Sequence, residues 1–115
     1  MPDAPVDRDA LLDLVNEDTV FLEKLIGTFR RDCKTYLQNI RTAIDRGDAD
    51  ALVEEAHGLK GAAAHLQAEA VRTAAHRLEE LGREGDLDPA PKHAFRLEQA
   101  VDRALPTLED MVENA

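Results

Sequence analysis

Residues 18–45, DTVFLEKLIGTFRRDCKTYLQNIRTAID, place Leu22, Ile26, Phe29, Cys33, Tyr36, Ile40 and Ala43 at alternating four- and three-residue steps, a strict seven-residue repeat. At about 100° per residue this spacing keeps the apolar side chains on one stripe of a helix and leaves charged and polar residues around the rest. It is the clearest helix in the chain, and the flanking segments complete an all-α pattern around it. Upstream, Asn16-Glu17-Asp18 breaks and recaps the chain, and Asp7 caps a short helix over 8–15 with Leu11, Leu12 and Val15 on one edge. Downstream, Arg46-Gly47-Asp48 supplies a terminating glycine and then an Asp cap for a helix over 49–64. A further helix over 68–83 has Val71, Ala74, Ala75, Leu78 and Leu81 as a thin, alanine-rich core face and closes at Gly82 to Gly85.

Asp88-Pro89-Ala90-Pro91 reads as a turn and helix start, and the last helix, 91–112, uses Ala94, Leu97, Val101, Ala104, Leu108 and Met111. Pro106 lies off that seam, so a bend or local break facing water is expected there. No repeat, strand pattern or low-complexity tract interrupts the series. Four main helices with short connections predict an antiparallel up-and-down four-helix bundle, with the short N-terminal helix as a lid.

The 115 residues make one domain, 1–115 with a core over about 7–112, large enough for a single hydrophobic core without staples. A net charge of −10 argues against nucleic acid and favours protein partners, because phosphate-backbone binding needs clustered Lys and Arg. Phe21, Phe29, Tyr36 and Phe95 are the only aromatic residues, and the abundance of Ala, Leu and Glu is helical-bundle composition. Cys33 has no pairing partner and falls within an apolar seam, which reads as a buried small hydrophobe in a reducing, cytoplasmic setting. No apolar run has the length of a membrane span, and Met-Pro-Asp-Ala-Pro lacks the features of a signal peptide, so a soluble protein without a membrane role is expected.

The chemistry concentrates in residues 55–66, EAHGLKGAAAHL. Leu52, Ala56, Leu59, Ala63 and Leu66 form the core seam of this helix, while Val53, Glu54, His57, Lys60, Gly61 and Ala64 fall on an adjacent stripe. His57 therefore sits at the border of the buried stripe and solvent, with a cation one turn on. Neutral imidazole is a nitrogen nucleophile near pH 7, and attack on phosphorus requires the negative charge of the transferring oxygens to be balanced. Lys60, read as an exposed point charge, can balance it. Gly61 costs about 1 kcal/mol relative to Ala inside a helix, and its missing side chain clears room for a phosphoryl group or a partner surface. With Ala64, Val53 and Glu54 it makes up the candidate docking face.

His65, His76 and His93 lack those neighbours and read as surface residues. Glu54 and Glu55 read as solvated charges, with an orienting contact from Glu54 to the His57 ring as the alternative. Glu54-x-x-His57 matches half of a carboxylate-bundle metal motif, but no other histidine has a Glu three residues before it, so no metal site is expected. No Gly-rich phosphate loop, Ser/His/Asp set or ATP-binding signature occurs, so the chain is not expected to be a kinase or other enzyme by itself.

Ala56-His57-x-Leu59-Lys60-Gly61-Ala62-Ala63-Ala64-x-Leu66 resembles the signature of histidine-containing phosphotransfer (HPt) domains, the relay modules of multistep two-component signalling. Leu78-Glu79-x-x-Gly82-Arg83-x-Gly85-Asp86 and the Arg46-Gly47-Asp48 turn resemble that family's interhelical punctuation, so the likeness spans roughly residues 7–112. The family carries a glycine ten residues after its histidine, and this chain has Gln67 there. The resemblance implies a phosphoryl carrier: His57, through Nε2, takes a phosphoryl group from a receiver-domain aspartate and yields it to another. It further implies partners in response-regulator receiver domains and a hybrid sensor histidine kinase, a monomer without a cofactor of its own, and Mg²⁺ held by the receiver. Two other readings stay open, the His module of a larger chemotaxis-type or hybrid kinase and a plain helical interaction module.

Overall fold

The computed structural model describes residues 5–113, so Met1–Ala4, most of the stretch read for a signal peptide, lies outside the described residues. The chain forms five helices, α1 (Arg8–Leu14), α2 (Thr19–Arg46), α3 (Ala49–His65), α4 (Glu69–Glu84) and α5 (Ala90–Glu113), and no strand occurs among the described residues.

Local chemistry accounts for the boundaries. The carboxylates of Asp7, Asp18 and Asp48 each accept the backbone N–H three residues on, at 3.1, 3.0 and 3.0 Å, and so cap α1, α2 and α3. Gly47 and Gly85, at φ 66° and 70°, close α2 and α4 in the left-handed region. The end of α3 has the same closure without a glycine: the Ala68 N–H donates to the Ala63 carbonyl at 2.9 Å and the Gln67 N–H to Ala64 at 3.1 Å, with Gln67 at φ 59°. A residue with a β-carbon carries a cost of about 1–2 kcal/mol in that conformation. The Gln67 carbonyl also accepts the Asp7 N–H at 3.0 Å, which hangs α1 from the α3–α4 turn. Asn16 and Glu17, both at positive φ, make the break between α1 and α2.

α3 packs on α4, α2 on α3, α4 on α5 and α2 on α5, which closes a ring of helix pairs. The anticipated seams line its interior: Leu22, Ile26, Phe29, Cys33, Ile40 and Ala43 of α2 are buried, as are Leu52, Ala56, Leu59, Ala63 and Leu66 along α3, with Tyr36 half-buried. Burial pushes the Cys33 thiol up to about 12, with the nearby Asp32 charge adding to the effect, so it stays protonated and inert. α5 runs unbroken through Pro106, whose ring faces solvent, so the local break admitted at this position does not occur. α3 and α4 approach closely at Gly82, where a β-carbon would lie 2.7 Å from Val53 Cγ2 and 3.1 Å from the Ala49 carbonyl oxygen. Val53, expected on the outward docking face, is thus half-buried and turned toward α4.

Candidate functional site

One buried acid organises the outer side of the α3–α4 contact. Glu79 is fully buried, and the apolar residues of the α4 face, Val71, Ala75 and Leu78, carry it there at helical spacing. His57 Nδ1 lies 3.0 Å from Glu79 Oε2, and Arg83 Nη2 donates to the same oxygen at 2.6 Å. Lys60 Nζ stands 2.5 Å from Oε1 as an ion pair, although that oxygen receives no well-directed hydrogen bond. Lys60 also donates to His76 Nδ1 at 3.5 Å, and His76 Nε2 turns toward Glu80 at 3.8 Å. Residues 76, 79, 80 and 83 share one stripe of α4 because they are three or four apart, and that stripe meets residues 57 and 60, one turn apart on α3.

The electrostatics follow from this placement. Burial alone would raise the Glu79 carboxyl, but the close contact and charge of Lys60, the hydrogen bond with His57 and the charge of Arg83 outweigh it and hold the group below the usual glutamate range. A carboxylate without solvent costs several kcal/mol unless it is paired, and here the cations offset that cost. An ionised carboxylate is acceptor-only, so the imidazole hydrogen of His57 belongs on Nδ1. Nε2 then keeps its lone pair, on a side chain that is 65% exposed.

The anticipated residues fall into place unevenly. Glu54, Gly61 and Ala64 are exposed on the outer face of α3, and no atom lies within 4 Å of where a Gly61 β-carbon would be. The group that holds the His57 ring is Glu79, in place of Glu54. Lys60 is not the exposed charge expected from its stripe: its side chain is only 23% exposed, because it leans inward to neutralise Glu79. His76, read as a surface residue outside the site, is half-buried and belongs to it, in contact with Lys60 and Glu79. His65 is exposed, and His93 is half-buried. Beside His57, a β-carbon on Gly58 would fall 2.6 Å from Tyr36 Cε1 and 2.8 Å from its hydroxyl, so the tyrosine ring rests on bare α3 backbone. Among the described residues no cluster of three or more His, Cys, Asp or Glu could hold a metal ion, and no helix is long and apolar enough to cross a membrane.

No curated protein matches the sequence. Among solved structures, the crystal structure of histidine-containing phosphotransfer protein B (HptB) from Pseudomonas aeruginosa PAO1 is similar, with a TM-score of 0.84 at 24% identity over 98% of each chain. At that identity the likeness speaks for the fold. The family model of the Hpt domain matches residues 24–113, a span that takes in His57, Lys60, His76, Glu79 and Arg83. With most of its length under that match and an imidazole presented over a buried acid within it, the chain belongs to the Hpt domain family, the phosphotransfer domains of phosphorelays.

Proposed function

We propose that His57 is the phosphoacceptor and that the chain carries a phosphoryl group between receiver-domain aspartates without a kinase activity of its own. The observation that carries this reading is the hydrogen bond from His57 Nδ1 to the buried Glu79, which leaves Nε2 free on an exposed ring. In the forward step the Nε2 lone pair attacks the phosphorus of a receiver acyl phosphate. A P–N bond forms, the P–O bond to the aspartate breaks, and the aspartate leaves as a carboxylate. The imidazole becomes a phosphoimidazolium that keeps its Nδ1 hydrogen, and the Glu79 carboxylate balances the new positive charge, as a buried carboxylate does for the imidazolium of a catalytic triad. Transfer onward reverses the sequence.

Lys60 keeps the site from being anionic before the phosphoryl group arrives, because it cancels Glu79, and it lies one turn from the ring. Gly61 and Ala64 leave the approach along α3 open to a receiver domain, which would hold the Mg²⁺ that stabilises the transferring oxygens. A cytoplasmic monomer served by a hybrid sensor histidine kinase fits the net charge of −10 and the inert Cys33. The ring of helix pairs, joined by short turns, supports an antiparallel up-and-down bundle of α2 to α5 with α1 laid across one end.

The test is to mix the protein with phosphorylated receiver domains and map the acid-labile, base-stable label. It should reside on His57, and His57→Gln should stay folded and take up none. Label on His65, His76 or His93, or uptake by the variant, would overturn the assignment.

A further inference from the structure

A groove of about 600 Å³ runs between α4 and α5, away from the Gly61 and Ala64 face. Ala70, Thr73 and Ala74 of α4 contribute its apolar wall, and Arg77, Arg96 and Arg103 bring three guanidinium groups to it. In a chain of net charge −10 this is a local reversal of sign. The two acids of the lining are already engaged, Glu69 with Arg72, and Glu80 with Arg77 and His76 at 3.8 Å each. Among the described residues, no ion pair engages Arg96 or Arg103. α5 is in this respect divided lengthwise: Glu98 and Glu109 pair with Arg41 and Arg30 of α2, while its arginines line the groove. His93, also in the lining, is held below the usual histidine range by burial and by the charges of Arg96, Arg77 and Lys92, which marks the same positive field.

We propose that this groove is a docking site for an acidic amphipathic segment of a partner protein, with apolar side chains against Ala70 and Ala74 and carboxylates on Arg96 and Arg103. Arg96 and Arg103 are two helical turns apart, about 10.5 Å along α5, so carboxylates two turns apart on a docked helix meet both. An apolar wall with a cationic rim fits such a segment better than nucleic acid, which the overall negative charge repels. His76 lines both the groove and the Glu79 cluster, so a docked segment meets the residue that contacts Lys60 and Glu79 from the α4 side, separate from an approach across α3. Binding here does not depend on His57 being the phosphoacceptor, and the two proposals fail separately.

The test is an NMR titration of the ¹⁵N-labelled full chain with a short helical peptide carrying Leu on one face and Glu on its flanks. A Lys-for-Glu version of the peptide and a single-stranded oligonucleotide serve as comparison probes. Shifts should concentrate at Ala70, Thr73, Ala74 and His93, and affinity should fall as salt is raised. R96E/R103E, which alters two exposed side chains, should keep its circular dichroism and bind at least about tenfold more weakly. K24E/K34E, which changes net charge equally on α2, should bind as the unaltered protein does. Overturning results are no binding, shifts centred elsewhere, equal binding of the Lys peptide or the oligonucleotide, or full affinity in R96E/R103E. Concentration-dependent shifts at the groove without any probe would assign it to a second copy of the chain and overturn the partner assignment.

Discussion

Glu79→Gln removes one negative charge from beneath His57 while keeping the side chain's shape. Loss of one member of a closed buried ion pair costs about 3–5 kcal/mol, because the other charge is left stranded. Here Arg83 is 61% exposed and Lys60 23%, so both cations can turn to water. The loss should therefore be smaller, about 1–2 kcal/mol at neutral pH. Its pH dependence has a definite sign. The folded-state pKa of Glu79 lies below the ordinary value of 4.5, so the stabilisation is fully present above that value and is lost as pH falls through the folded pKa. The gap between the two proteins should be flat above about pH 5 and close in stronger acid.

The kinetic effect of the same change is separable. Without a carboxylate on Nδ1, the imidazolium formed on phosphorylation lacks its counter-charge, and an amide N–H facing Nδ1 would favour the tautomer whose Nε2 is no longer a nucleophile. Phosphorylation should slow about 10- to 100-fold, equivalent to about 1.4–2.7 kcal/mol. The assay is label uptake from phosphoramidate, a small donor that needs no docking surface, read beside ¹⁵N spectra of the His57 ring. Unchanged uptake together with an unchanged Nδ1–H tautomer would refute the argument and reduce Glu79 to a packing residue.

Lys60→Ala should slow transfer about 10- to 100-fold and also lower the melting temperature, since it takes a neutralising charge from Glu79; an unaltered melting curve would contradict the inward lean of this side chain. Gly61→Gln should gain helix propensity of up to about 1 kcal/mol and yet block phosphotransfer from a receiver, whereas Gly82→Ala should be destabilised by about 1–3 kcal/mol because its new methyl group meets α3 backbone. Paired circular dichroism and transfer assays check both, and a well-folded, fully active Gly61→Gln protein would remove α3 from the docking surface. Gln67→Gly should stabilise the fold by about 1 kcal/mol by relieving the left-handed residue at the end of α3, as read by chemical denaturation.

The helices were legible because their signals are local. Asp7, Asp18 and Asp48 cap where an acid precedes an apolar period, Gly47 closes α2, and the α2 seam is buried almost residue for residue. The candidate His57 was marked by the same kind of local signal, its lysine being one turn away on the same helix. Glu79, His76 and Arg83 were not, because they lie 19 to 26 residues further on and reach His57 only through the register of α4 on α3, which no local period encodes. The resemblance touched Glu79 and Arg83 only as interhelical punctuation; a physical signal was also available, because Glu79 follows Ala75 by four and Leu78 by one, so an acid stands inside an apolar seam. The inward turn of Val53 and Lys60 was hidden likewise. A helical wheel gives their direction but not the close approach that Gly82 permits, which draws α4 over that edge of α3.

The bond from the Asp7 amide to the Gln67 carbonyl makes the first helix part of a remote turn. Amides near a chain terminus ordinarily exchange with solvent at the rate of local fraying. This one has its acceptor 60 residues away, so it can exchange only when α1 lifts from the α3–α4 corner. Opening α1 also uncovers Leu11 and Val15, which are buried in the common core. In native-state hydrogen exchange Asp7 should therefore share the opening free energy of the Leu11 and Val15 amides, so that α1 lifts from the far corner as a single cooperative unit.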